Sequence, residues 1–411
     1  MHTATIVAQV MQCCFPLMHA ARWRALHDVV VSAVNGHALG LVALAVGTPR
    51  TTTVRHRVKH IARGRHICVD RLLGNIHLEA HRFDLYAALA RQWLAGLPQL
   101  LIVVDWSSLT ADMQWHWLRA SVVCDGRSIT LYEEVHPRKH LGSLAVHTHF
   151  IKQLAQLLPK SAHPPIVMTD AGFRNTWFRL IAAQGWQWVG RVRNRDFVRK
   201  NETETWQPAK LLYGQARANA ADLGAYETVR NHPFKCRLVL VKHAPKGRKH
   251  RYASGKVKNN STAKKIASRY REPWLLSCSP SLAHLSAEAI VRLYAQRMRI
   301  EEEFRDTKNI VLGAGLALSR SHGQQRLQAL LLIGHVAQMA KRLIGEAAKG
   351  AQLHLQLMST CRKDRAELSV MMLAKRVIDS AALMRKLTIP RPDWHVLRSQ
   401  VSAAINRAVA A

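Results

Sequence analysis

Two apolar runs ending in aspartate constrain this chain most: QLLIVVDWSSL, closing on Asp105, and PIVMTDAGF, closing on Asp170. Short, continuous apolar runs flanked by turn residues read as buried strands. Open α/β sheets place their sites at the C-terminal ends of such strands. Between the two runs lie WHWLRASVVCDG and RSITLYEEVHP, joined at Asp125-Gly126, a strong hairpin signal. A helical stretch from about His147 to Leu158 follows, and beyond Asp170 come NTWFRLIAAQG as helix and WQWVGRVRN as strand. The order is β, β-hairpin, α, β, α, β, a mixed sheet carrying two aspartates of the same form. A shared metal site is one reading; helix caps and turns are the other, since aspartate serves both.

The remainder is organised around that core. Residues 1–98 read as helical, with Arg55, Arg57, Lys59, Arg63, Arg65 and Arg71 on segments separated by glycines, suited to lying on a phosphate backbone. The region 99–195 is the first part of the α/β core. Residues 196–273 form a basic, β-rich insertion whose piece from Lys246 to Arg271 holds ten Lys/Arg and no acid. Residues 274–340 return to the core, and 341–411 read as amphipathic helix, fit for packing on the core or on a second subunit.

Charge narrows the partner. The 411 residues carry 60 Lys+Arg against 26 Asp+Glu, a formal +34, with 48% hydrophobic residues. So basic a chain with enough apolar residue to bury cores points to a polyanion, nucleic acid ahead of an anionic membrane surface. The longest apolar run, Leu327 to Ala340, is too short to span a bilayer and reads as a buried helix. The N-terminus lacks a basic start and a small-residue cleavage site, so a cytoplasmic protein is expected. The seven cysteines form no C-x-x-C pair and read as core filler. His77 and His81 in HLEAH have i, i+4 spacing but no third ligand.

In this basic chain, YAQRMRIEEEFRDTK, Tyr294 to Lys308, is an acidic island. A helix is expected from a cap at Ser286 through Lys308. At about 100° per residue, Tyr294, Arg297, Glu301 and Lys308 share a stripe, beside a seam of Leu293, Ile300, Phe304 and Val311. Glu302 and Glu303 point elsewhere, and salt bridges at i, i+4, such as Arg299 with Glu303, account for them. Glu301, framed by three groups that can hold phosphate, would complete a three-carboxylate set with Asp105 and Asp170. Such a set suits two magnesium ions acting in an in-line displacement at phosphorus.

The spacing Y-x2-R-x3-E-x6-K resembles the YREK signature of the insertion-sequence-four family of cut-and-paste bacterial transposases. LIVVDWSSL, IVMTDAGF, VDRLLGN near Asp70 and REPWLL around Trp274 look like its insertion-sequence-ten branch. The resemblance implies a ribonuclease-H-like fold and a catalytic Asp, Asp, Glu triad. Asp105, Asp170 and Glu301 would bind two Mg2+ ions, for which Mn2+ substitutes, and Tyr294, Arg297 and Lys308 would contact double-stranded DNA at the transposon ends. It further implies nicking, hairpin formation and strand transfer by a dimer on DNA, with a flipped base stacked by an aromatic residue at the place of Trp274. Trp274 also suits a core position. Arg191 and Arg193, alternating on the strand after Asp170, could face DNA or simply solvent. A purely hydrolytic ribonuclease-H-like nuclease or resolvase would share the carboxylates but not the YREK spacing. A non-catalytic regulator derived from a transposase would lack one of them.

Overall fold

The computed structural model describes residues 3–48, 58–124, 126–193, 196–200, 202–244, 257, 260–261, 272–310, 313–358, 368–387 and 392–409. The chain opens with α1 Thr3–Cys14, α2 Ala20–Val34, α3 Leu41–Gly47, α4 Val58–Leu73, α5 Ile76–Ala80 and α6 Arg82–Leu94. The predicted succession follows as β1 Leu101–Ser108, β2 Trp115–Val123, β3 Ser128–Pro137, α7 Leu144–Leu157, β4 Ile166–Thr169, α8 Asn175–Ala183 and β5 Gln187–Val192. Next come β6 Phe197–Arg199, β7 Gln207–Pro208, β8 Ala221–Thr228, β9 Phe234–Val241 and β10 Trp274–Cys278. Helices α9 Ala287–Ala295, α10 Met298–Lys308, α11 Gln324–Gly350, α12 Leu353–Gln356, α13 Val370–Ile378, α14 Ala381–Arg385 and α15 Trp394–Val409 complete it. This is a mixed α/β fold, with the expected β, β-hairpin, α, β, α, β succession at its centre. The basic segment from Lys246 to Arg271 lies outside the described residues apart from 257 and 260–261, as do Arg55, Arg57 and Asp125.

Two compact units divide the chain. The first comprises Met1–Pro98, Asp105–Ser161 and Arg299–Ala404; the second comprises Gln99–Val104, Ala162–Met298 and Ile405–Ala411. In the first unit β2 and β3 form the expected antiparallel hairpin, closed by the Cys124 N–H donating to Arg127 O at 2.9 Å, with Gly126 at φ +75°. That φ lies in the left-handed region, where glycine carries no Cβ penalty. The long α11 packs against α2, β3 and α13, and its Leu327–Ala340 stretch is almost wholly buried. No helix among the described residues is long and apolar enough to cross a membrane. Cys14 and Cys124 are buried as core filler here, but Cys13 and Cys68 are exposed, contrary to expectation. Both sit on the solvent side of an amphipathic helix, which a cysteine count cannot reveal.

In the second unit the strand order is β1-β4-β5-β10-β9-β8-β6-β7. β1, β4 and β5 are parallel, with Leu101 opposite Ile166 and Ile166 opposite Gln187. β10 runs antiparallel to β5, and antiparallel pairing then extends outward. Apolar runs fill these central strands because both faces are covered: α8 packs on β5, and α9 packs on β4, β5 and β9. Gly190 on β5 is needed where the Phe178 ring of α8 comes closest, since a Cβ there would lie 2.2 Å from the ring. Gly190→Ala is expected to destabilise the protein by roughly 1–3 kcal/mol through overpacking. A urea titration followed by tryptophan fluorescence checks this.

Helix starts follow the serine signals. The Ser286 side chain accepts from Ala289 N–H at 3.2 Å, and Ser143 and Ser369 cap α7 and α13 in the same way. The helix begun at Ser286 is not continuous to Lys308, however. It closes at Gln296, where the N–H groups of Gln296 and Arg297 bond back to Leu293 and Tyr294 with i to i−3 geometry, and α10 starts afresh at Met298. Tyr294 therefore belongs to one helix and Glu301 and Lys308 to the next, with Arg297 in the turn between. A wheel drawn through an unbroken helix overlooks this tightening of the last turn, which no proline or glycine announces.

Candidate active site

In the first unit, β1 and α10 bring together three predicted residues. Asp105, Glu301 and Lys308 line one open cleft of about 570 Å³, together with Trp106, Ser107, Phe304, Arg305 and Asn309. Glu301 and Lys308 lie seven residues apart, two helical turns, so they face the same side of α10. Asp105 stands where β1 leaves its buried portion, half-exposed, with its Oδ1 accepting the Trp106 N–H at 2.8 Å. Lys308 is half-buried, and its Nζ donates to Ser107 Oγ at 2.7 Å. Burial first, and Arg119 second, push its ammonium below the usual lysine range. Behind the cleft Trp106 Nε1 donates to His147 Nε2 at 3.1 Å, and burial followed by His136 lowers His147 to about 4, leaving the ring neutral and able to accept.

The predicted residues of the second unit have their own arrangement. Asp170 follows β4 directly, and its Oδ1 accepts the Gly172 N–H at 2.7 Å, an Asx turn that fixes the carboxylate at the strand end. Tyr294 is buried on α9. Its phenol is raised first by burial, while Arg297 and Arg191 pull it down and Asp170 pushes it up, so these four groups share one electrostatic neighbourhood. Trp274 opens β10 and meets Tyr294 edge-on at 5.0 Å and His243 at 4.5 Å. Arg191 is engaged within the protein: its Nη2 donates to the carbonyls of Pro273 and Glu272, and Glu272 pairs with it at 3.7 Å. The Arg193 N–H bonds Asp196 at 3.0 Å.

The acids beside Glu301 are placed differently from expectation. Glu302 pairs with Arg127 at 2.9 Å and with Arg299 at 3.8 Å, i, i+3. Glu303 does not take the i, i+4 pair with Arg299. It is buried, with Oε2 accepting from Ser128 Oγ at 2.6 Å and Ser121 Oγ at 3.0 Å, and Oε1 accepting from Thr130 Oγ1 at 2.5 Å. Arg119 Nη1 lies 3.4 Å away, and its Nη2 and Nε bond Glu133, which also accepts from Tyr86 and Trp117. The signal for this network stood in the sequence: two glutamates inside the apolar strand SITLYEEV, and an arginine inside the strand that pairs with it.

The side chains of the cleft that could ligate a metal, Asp105, Ser107, Glu301 and Asn309, offer oxygens, with no histidine or thiolate among the lining residues, a set that fits a hard divalent cation. Among the described residues, no three His, Cys, Asp or Glu side chains gather as a metal cage. Residues 96–338 match the family described as Transposase DDE domain. The chain belongs to this family. It is a DDE transposase, an enzyme of a class that works with divalent metal. No curated protein matches the chain. A solved piggyBac transposase, in a synaptic complex with hairpin DNA, resembles the transposase at 12% identity and TM-score 0.42, over 98% of this chain and 80% of that one.

Proposed function

We propose that this transposase serves a bacterial insertion sequence of the insertion-sequence-four, YREK-bearing type, near the insertion-sequence-ten branch. It would bind double-stranded DNA at the terminal inverted repeats and carry out nicking, hairpin formation and strand transfer by a cut-and-paste route. The observation carrying this reading is the shared cleft of Asp105, Glu301 and Lys308. Two carboxylates beside two cations, Arg305 and Lys308, suit a site for metal and phosphate. Asp170, with its carboxylate fixed at the end of a parallel strand, is the third proposed ligand.

Asp105, Asp170 and Glu301 would hold two Mg2+ ions, or Mn2+ in their place. When bound, such ions lower the pKa of the attacking oxygen's proton and stabilise the leaving oxygen. The side chains around them have separate tasks. Lys308 holds a phosphate oxygen, pre-aimed by Ser107, and its desolvated ammonium exchanges one neutral partner for an anionic one. Arg297 and Tyr294 bind the neighbouring phosphates. Trp274 stacks on a displaced base. Arg191 and Arg193 border the DNA path, the helical region 1–98 and the basic segment 246–271 extend the phosphate contacts, and the C-terminal helices support a homodimer in the nucleoid.

The test is a supercoiled plasmid bearing the cognate ends, incubated with Mg2+. Wild type excises the segment, whereas Asp105→Ala, Asp170→Ala and Glu301→Ala bind ends without cutting. Retained cleavage by Glu301→Ala contradicts the assignment. Lys308→Ala is expected to weaken end binding regardless of sequence and to reduce the slope of log affinity against log salt by about 1, as loss of one phosphate contact does. A salt series of gel-shift titrations measures it.

A further inference from the structure

Glu303 has no part in the YREK signature, yet it is the most elaborately bound acid on α10. Three hydroxyls from both strands of the β2–β3 hairpin converge on it, and Arg119 stands against its Oε1. All four are donors, so the site is built for an acceptor-only carboxylate. The hairpin is shaped for this. Its pairing shifts between Ala120, opposite Tyr132, and Ser121, opposite Thr130, leaving Leu131 as an extra residue. In a regular strand Thr130 and Glu133, three apart, would face opposite sides. The bulge lets Thr130 reach Glu303 while Glu133 holds the other edge of Arg119.

Glu301 and Glu303 are two residues apart, about 200° around a helix. Fixing Glu303 against the hairpin therefore turns Glu301 away from it and into the cleft. Two further pairs, Arg127 with Glu302 at 2.9 Å and with Asp306 at 3.0 Å, hold the flank of the same helix to the same hairpin. The packing of Phe304 edge-on to Trp117 at 4.7 Å fixes height as well as rotation.

We propose that Glu303 is a positioning residue for the active site: the Ser121, Ser128, Thr130 and Arg119 cage grips it, setting the rotation of α10 that presents Glu301 to metal. This rests on the reading of Glu301 as a metal ligand. The test compares Glu303→Gln with Glu301→Gln, using Mn2+ binding followed by the electron paramagnetic resonance of the free ion, and cleavage rate against Mg2+ concentration. An amide presents donors to a cage of donors. Glu303→Gln is expected to weaken Mn2+ binding and raise half-saturating Mg2+ by roughly 10- to 100-fold, the range for partners that orient a ligand. Saturating metal should restore most of its cleavage rate, and end-DNA affinity should stay within about twofold of wild type, which loss of fold would not permit. Should Glu303→Gln not fold, Thr130→Val, which removes one donor, is read instead and shifts the same two quantities in the same direction. Wild-type metal dependence in the folded variant overturns the positioning role. Wild-type Mn2+ binding by Glu301→Gln would instead overturn the underlying ligand reading.

Discussion

Glu301→Gln is expected to lower strand cleavage by more than about 100-fold, beyond the 10- to 100-fold range for residues that only orient a metal ligand. End binding is expected to survive, because under the proposed function affinity would come from phosphate contacts spread over a strongly basic chain. Glu302→Gln, the same loss of one charge one residue away, is expected to stay within about threefold of wild type, since its partly exposed pair with Arg127 contributes little. The contrast between neighbours is the informative part. Loss of one charge from the acidic island is common to both, and only Glu301 lines the cleft with Asp105 and Lys308. Single-turnover cleavage of a labelled end duplex separates the outcomes.

Arg119→Met is expected to destabilise the protein by about 3–5 kcal/mol, the range for removing one partner of a buried ion pair. Arg119 and Glu133 are each 1% exposed, and Glu303 is 7% exposed. One guanidinium serves both carboxylates and also lies 4.0 Å from the Trp117 ring centroid. Methionine fills similar volume, so the loss is chiefly electrostatic: two buried acids keep their hydroxyl donors but lose the guanidinium that pairs with both of them. Tyr86 and Trp117 still donate to Glu133, which keeps the figure below that of a bare buried charge. The midpoint of urea unfolding, read by circular dichroism, measures the effect. A change under about 1 kcal/mol would contradict the role given to this guanidinium.

The core was legible because its signals are local and short. LIVVD and IVMTD are apolar runs with a polar tip, and they became β1 and β4, parallel in the second unit. The Cys124–Arg127 turn was readable from one Asp-Gly step, and the Ser286 cap from a serine before an apolar run. The pairing of Glu301 with Lys308 on one face followed from a spacing of two turns within α10. What failed depended on long-range contacts. The break at Gln296 has no helix-breaking residue, so periodicity carried the stripe across it to Tyr294. The i, i+4 salt bridge expected for Glu303 failed because its partners lie more than 170 residues away in sequence, on a hairpin whose register only a folded pairing fixes. Arg191 read as a free strand arginine because nothing local announces that the chain before β10 returns to bind it.

The most direct test of the account is to load the transposase with Fe2+ in place of Mg2+, add ascorbate and peroxide, and map where hydroxyl radicals cut the polypeptide. Cuts beside Asp105, Asp170 and Glu301, suppressed by excess Mg2+ and lost in Glu301→Gln, are the predicted result. Cuts elsewhere, or a pattern unchanged in Glu301→Gln, would contradict the claim that these three carboxylates hold the catalytic metal.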